Sequence, residues 1–260
     1  MNLPKIDPTA RISPKAILAE NVTIGPYTVV GDNVEFGEGT VVGPHCMIEG
    51  PTVIGKGCIF TGYASIGTPP QDHSYKGEET RLEIGDGNTF REFVTVNRGT
   101  TKDRGVTSIG SHNLFMAYCH VAHDCVVGSH VVMGNLATLA GHVEIQDNAI
   151  FGGMSAIHQF TRVGAYAFVG GGSRVSLDIV PYAKASGDRA TLYGVNTIGL
   201  KRNGFTKEHI ARIDKAFRIL FKQGLLLKEA LRALEQEYPD TLEIIRLVTF
   251  LRSTRRGIAR

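Results

Sequence analysis

Nine histidines are few for a chain of 260 residues, and five of them fall within residues 115–160, among them His120, His123, His142 and His158. An imidazole changes charge near neutral pH, so it can take and return protons there or, when neutral, bind a metal. Asp124 directly follows His123, and a neutral imidazole beside a carboxylate is the usual equipment of a general base. His123, Gly141 and Gln159 are spaced by 18, and His142 and His158 lie next to that line. The segment Ala140–His142 offers backbone N–H groups that could hold an oxyanion. A lone histidine is more often a packed or solvated side chain than a catalyst. The shared spacing makes these residues a candidate site, and it requires a scaffold that repeats every 18 residues.

The apolar pattern supplies that scaffold. Bulky apolar residues recur neither at 3.6 nor at 2 but at six: Ile6, Ile12, Leu18, Ile24, Val30, Phe36, Val42, Ile48, Ile54, Phe60 and Ile66. The pattern resumes at Ile84, Phe90 and Val96, slips by one, and runs from Ile109 to Val175 without a miss. One short strand and one turn fit in six residues, and three such units close a triangular coil of 18. The repeat therefore predicts a solenoid of about nine coils, roughly 40 Å long at the inter-strand spacing of a sheet. Glycine often follows the apolar residue directly, as at Gly25, Gly31, Gly43 and Gly55. It serves corners where φ is positive or where no Cβ fits.

Two polar stretches interrupt the register, residues 68–83 and 97–108, and read as loops projecting from the prism. After Val175 the hexads fade and the period becomes helical. Thr206 is a plausible N-cap for a helix running to Gly224, followed by helices over 225–238 and 241–253. The chain thus divides into a β-helix over residues 1–190 and a small helical domain over 191–260. Residues 201–260 carry 14 Lys/Arg against 7 Asp/Glu, and this basic surface suits nucleic acid, an anionic membrane or an acidic protein. No apolar run approaches a membrane span and no signal-peptide pattern opens the chain, so a soluble cytoplasmic protein is expected. Cys46, Cys58, Cys119 and Cys125 lack metal or disulfide spacing and read as reduced structural thiols.

The hexad array resembles the left-handed parallel β-helices that many acyltransferases use. Five segments narrow the resemblance: CHVAHDCVVG (119–128), NLATLAGHV (135–143), GGMSAIHQF (152–160), IGTPPQDHSYKGE (66–78) and GVNTIGLKRNGF (194–205). Over essentially the whole chain they are similar to the acyl-carrier-protein:UDP-N-acetylglucosamine O-acyltransferases, the first enzymes of lipid A synthesis. The resemblance implies that His123 is the general base for the glucosamine 3-hydroxyl, that Asp124 orients it and that the Gly141 N–H holds the oxyanion. It implies substrate contacts from Asp72, Ser74, His120, His142, His158, Gln159, Asn196 and Arg202, and an acyl-length ruler at Gly171. Its partners would be a 3-hydroxyacyl-acyl carrier protein and UDP-N-acetylglucosamine, its assembly a homotrimer with sites between subunits, and neither cofactor nor metal is implied. The basic tail would dock the acidic carrier protein.

This chain departs from the family pattern at Ser74, where lysine is usual, at Asn97 for histidine, and at Ile198 and Asn203 for glutamate and arginine. N-acylation of a 3-amino sugar therefore stays open. A γ-type carbonic anhydrase with zinc on His120, His123 and His142 is a rival on the same fold, although such enzymes usually lack a helical tail of this size. A non-catalytic hexapeptide scaffold is the third reading.

Overall fold

The computed structural model describes residues 3–260. Each hexad forms a short strand whose second or last residue is the periodic apolar one, as in Thr23–Ile24, Val29–Val30 and Val34–Phe36. Strands pair in parallel with their equivalents one coil on, Thr23 with Val41 and Ile24 with Val42 for example. Every third strand enters the same sheet, giving faces of eleven, nine and eight strands. We call these faces A, B and C after the order in which the chain visits them, through Ile24, Val30 and Phe36.

The periodic residues stack inside the prism. From Ile24 to Val175 all are at most 4% exposed, whereas Ile6 is 48% exposed because no coil lies beneath it. Phe60, Phe90 and Phe115 form a column on face A with ring centroids 4.8 and 4.7 Å apart. Burying such rings supplies the main drive for coil stacking.

The corners separate the two reasons for glycine. A Cβ on Gly43 would lie 2.3 Å from the Thr61 carbonyl oxygen of the next coil, so that glycine is required by close approach. Positive φ falls two residues later and is carried mostly by other residue types, among them Tyr27, His45, Asp124 and His142 at 54–61°. Their neighbours above and below hold them in the left-handed region that non-glycine residues rarely adopt.

Both interruptions leave the prism between face B and face C. Each is shorter than the sequence suggests, because Ser65–Thr68, Arg81–Ile84, Thr95–Asn97 and Val106–Ile109 are strands. Arg81–Ile84 pairs with Val106–Ile109 residue for residue. The projecting loops are therefore 69–80 and 98–105. The alternation of Arg81, Leu82, Glu83 and Ile84, with Leu82 and Ile84 buried, is a two-residue period that the six-residue reading passed over.

The coil also continues past Val175. Ala183–Ser186 extends face A in parallel, and Thr191–Val195 pairs with it antiparallel as the last strand. Four helices follow: α1 (Thr197–Arg202), α2 (Lys207–Phe221), α3 (Leu227–Glu237) and α4 (Leu242–Arg252). Helix α1 lies where the sequence shows only fading hexads. The Thr206 hydroxyl accepts the His209 N–H at 3.2 Å, the N-cap expected for α2. Ile213, Ala216, Leu234, Ile244 and Leu247 are buried in the helical cluster. None of the helices is long and apolar enough to cross a membrane.

Candidate active site

The corner between faces B and C carries both loops and most of the candidate residues. His123, Gly141 and Gln159 each follow an inward residue of face B by two, so the 18-residue spacing stacks them on successive coils. Asp124 lies one position further round, its side chain fully buried. Its Oδ2 accepts Nδ1–H of His123 at 2.8 Å and the Thr100 hydroxyl at 2.6 Å, while Oδ1 accepts the Thr100 N–H at 2.8 Å. The Asp124 N–H in turn donates to the Thr107 hydroxyl at 2.8 Å. Burial alone would raise the Asp124 pKa, but hydrogen bonds from His123 and Thr100 hold it below the ordinary carboxylate value.

An ionised Asp124 only accepts, so the His123 proton sits on Nδ1 and the lone pair on Nε2. The Nδ1–Cε1–Nε2 edge of the ring faces Gly141: a Cβ on Gly141 would fall 2.6 Å from Cε1 and 2.8 Å from Nε2. The Gly141 N–H is buried and donates to no other group among the described residues. The ring edge that carries the base nitrogen and a residue with a free N–H are thus neighbours.

His142 stands edge-on to His123, with ring centroids 5.1 Å apart, and stacks on Phe160 at 4.6 Å. Its Nδ1 bonds Asp103 at 3.1 Å. His120 lies on face B with Nδ1 2.7 Å from the Thr95 hydroxyl. Burial, and secondarily the nearby His123, lower the His120 pKa and favour its neutral form. His158, whose Nδ1 bonds the Gln159 carbonyl, and Gln159 itself are exposed at the same corner. Asp72, in the first loop, accepts Lys102 at 2.7 Å and both N–H and O–H of Ser74 at 2.9 Å. Lys102, the leading cause, and Ser74 hold its pKa well below the usual carboxylate range.

Three predicted residues lie elsewhere. Gly171 occupies the corner between faces A and B, above Gly153. Asn196 and Arg202 lie by the corner between faces C and A. The Asn196 side chain is committed twice, as N-cap to Gly199 and as donor to the Tyr166 carbonyl. Arg202 is exposed and makes no ion pair among the described residues. The chain therefore distributes the predicted residues over all three corners and gathers only those around His123.

The donor atoms of His123, Asp124 and His142 lie within 4.8 Å of one another, a grouping that could hold a metal ion. His120, which the zinc alternative requires, is outside it. The four cysteines are free and buried, and burial pushes the Cys125 thiol up to about 12. Sequence reasoning missed Thr95, Thr100, Lys102, Asp103 and Thr107. The loop residues among them escape any periodic search, because the contacts from Thr100 and Asp103 span 24 and 39 residues rather than a multiple of 18.

A parallel β-helix of hexads with an imidazole–carboxylate pair on one corner and a helical cap has the architecture of the hexapeptide-repeat transferases, and similarity to known proteins assigns it to the acyltransferases of the left-handed β-helix fold. Residues 107–141 match the family model for bacterial transferase hexapeptide repeats, and residues 178–259 match that for domain 2 of UDP N-acetylglucosamine O-acyltransferase. The acyl-[acyl-carrier-protein]–UDP-N-acetylglucosamine O-acyltransferase of Alkalilimnicola ehrlichii is 55% identical over 259 residues, 98% of this chain and 99% of that one. Its counterpart from Thiobacillus denitrificans is 52% identical with the same coverage. The crystal structure of UDP-N-acetylglucosamine O-acyltransferase from Moraxella catarrhalis superposes with a TM-score of 0.96 at 42% identity, over 98% of this chain and 99% of that one. The chain belongs to the acyl-[acyl-carrier-protein]–UDP-N-acetylglucosamine O-acyltransferase family.

Proposed function

We propose that this chain transfers a 3-hydroxyacyl group from acyl carrier protein to the glucosamine 3-hydroxyl of UDP-N-acetylglucosamine, the first step of lipid A synthesis, with His123 as general base. Family membership supports the reaction. The observation that carries the mechanism is the His123 imidazole, hydrogen-bonded through Nδ1 to a buried carboxylate with Nε2 against Gly141. A sugar hydroxyl is a weak nucleophile and needs a base within hydrogen-bond reach, whereas a thioester needs no covalent enzyme intermediate. Nε2 takes the hydroxyl proton as the sugar oxygen bonds to the thioester carbonyl carbon. The carbonyl oxygen becomes an oxyanion, held by the Gly141 N–H. Collapse breaks the C–S bond, and the departing thiolate takes the proton from Nε2. Asp124 stabilises the imidazolium between the two transfers.

Asp72, Ser74, His120, His142, His158 and Gln159 would bind the sugar and the pantetheine arm around this corner, with Asn196 and Arg202 at the nucleotide and Gly171 limiting the acyl chain. Residues spread over three corners of one prism can share a substrate only if corners of different chains meet. A homotrimer of the β-helix region, residues 1–190, brings corners of neighbouring prisms together. The corner between faces A and B favours such an assembly: Tyr27, His45, Tyr63, Phe93 and Tyr118 stack up it, and Tyr27, Tyr63 and Tyr118 are 50–61% exposed. An apolar stripe of that kind marks a surface that a partner covers. The basic, mostly helical segment 201–260 offers the acidic carrier protein a complementary surface. A fully active species of one chain by light scattering would overturn the assembly.

The test is turnover of UDP-N-acetylglucosamine and of its 3-amino analogue with 3-hydroxyacyl carrier proteins of different chain lengths. Turnover of the hydroxy sugar that peaks at one length and falls about 10²–10⁴-fold in His123→Ala is the expected result. Unchanged turnover in that variant refutes the general base, and turnover of the amino sugar alone transfers the reading to N-acylation.

A further inference from the structure

Loop 98–105 carries three side chains that each bind a residue of the candidate site. Thr100 donates to Asp124, Lys102 to Asp72, and Asp103 pairs with His142. These contacts differ in burial. The Lys102 side chain is 55% exposed and that of Asp103 43%, whereas Thr100 is 3% exposed as a residue and faces a carboxylate with no exposure at all. Solvent weakens the first two pairs and leaves the third at full strength.

We propose that loop 98–105 is a positioning element of the catalytic corner and that Thr100 is its positioning residue, fixing the Asp124 carboxylate and through it the tautomer and orientation of His123. The inference rests on His123 being the base. Thr100 grips Asp124 at both oxygens, with its N–H on Oδ1 at 2.8 Å and its hydroxyl on Oδ2 at 2.6 Å. The carboxylate plane is thereby set by one residue, and the remaining acceptor direction of Oδ2 is left to His123 Nδ1–H at 2.8 Å. Asp124 itself sits at φ 60°, and its N–H is held by the Thr107 hydroxyl, so the backbone beneath the carboxylate is fixed from the opposite side. Thr107 lies in the strand Val106–Ile109, where the same loop re-enters the prism. An insertion that reads in sequence as a break in the repeat thus begins and ends on the residue that orients the base. Charge-assisted hydrogen bonds to a buried carboxylate are among the stronger ones, and supporting partners of this kind hold a catalytic group within tenths of an ångström.

The experiment compares Thr100→Val, which keeps the shape and the backbone N–H but removes the hydroxyl, with Thr100→Ser, which restores it. Alongside them, His123→Ala tests the base. The expected result is a loss of about ten- to a hundredfold in kcat for Thr100→Val, with the KM for the nucleotide sugar within about twofold, and recovery in Thr100→Ser. Imidazole ¹⁵N NMR supplies a second readout: His123 is an Nδ1–H tautomer in the parent and a mixture in Thr100→Val. A parent kcat and parent tautomer in Thr100→Val, or a loss that Thr100→Ser shares in full, overturns the proposal. If His123→Ala is inactive in that case, the general-base reading survives and only the positioning role fails. Activity retained in His123→Ala removes both.

Discussion

Replacing Gly141 by alanine tests whether the position of His123, rather than its presence, sets the rate. The added Cβ would lie 2.6 Å from Cε1 of His123, and carbon atoms at rest sit about 3.5 Å apart. The imidazole must therefore recede by about 0.9 Å. Gly141 does not have positive φ, so alanine suits its backbone, and the loss of freedom in the unfolded chain favours the variant by about 0.4–1 kcal/mol. The Gly141 N–H stays in place, which keeps the oxyanion donor. The perturbation thus falls on the base and on its bond to Asp124. A misplacement of about 1 Å costs on the order of a hundredfold in rate, about 2.7 kcal/mol of barrier. The assay is steady-state acyl transfer to UDP-N-acetylglucosamine, with thermal unfolding measured on the same sample. A kcat reduced about a hundredfold in a variant that still unfolds in one cooperative transition is the expected pair of results. A parent kcat in Gly141→Ala would refute the geometric argument, since the ring cannot stay where it is.

Asp124→Asn should lower stability in a pH-dependent way. The folded pKa of Asp124 lies below the ordinary value of about 3.9, so its contribution is fully present above about pH 4 and fades as pH falls through the folded pKa. The Tm difference between parent and Asp124→Asn should be constant from neutral pH to about pH 5 and shrink below pH 4. A difference that grows on acidification contradicts the sign. Gly171→Leu should shorten the preferred acyl chain without unfolding the protein. Its Cβ would come closest to the Gly153 carbonyl oxygen, at 3.2 Å, with the Gly153 nitrogen at 3.7 Å, and φ is not positive there. An unchanged chain-length optimum, read by competition among acyl carrier proteins, removes Gly171 as the ruler.

The solenoid is legible in the sequence because its core position is one-dimensional. A residue such as Phe90 packs on Phe60 and Phe115, its own equivalents one coil away, so the period alone states the contact. His123, Gly141 and Gln159 inherit this legibility, as does Thr206, whose N-cap depends only on its neighbours. Legibility stops where contacts cease to follow the repeat. Thr100 meets Asp124 through a loop that left the register, and α1 and Thr191–Val195 form against the last coil with no periodic signal of their own. The corner glycines were half legible. Their need for a missing Cβ follows from the repeat, but the assignment of positive φ to Tyr27, Asp124 and His142 required the backbone.

That assignment bears on the chemistry. Asp124 and His142 occupy equivalent corner positions one coil apart, both in the left-handed region at φ 60° and 61°. In an isolated turn such conformations are unfavourable for these side chains. Here the backbone N–H of His142 is bonded to the His123 carbonyl at 3.0 Å, the same corner-to-corner bond that Tyr63 makes to Pro44 and Phe160 makes to Gly141. The stack of coils therefore supports the corner at His142, and at Asp124 the Thr107 hydroxyl takes the N–H in place of a corner carbonyl, so a functional residue at either position gains a fixed direction from the scaffold. The side chains then need little local support except where charge is buried. Asp124 is the one carboxylate in the imidazole cluster with no solvent exposure, and it is also the one that loop 98–105 grips at both oxygens. The β-helix fixes where the groups stand, and the loop fixes how the buried charge among them is held.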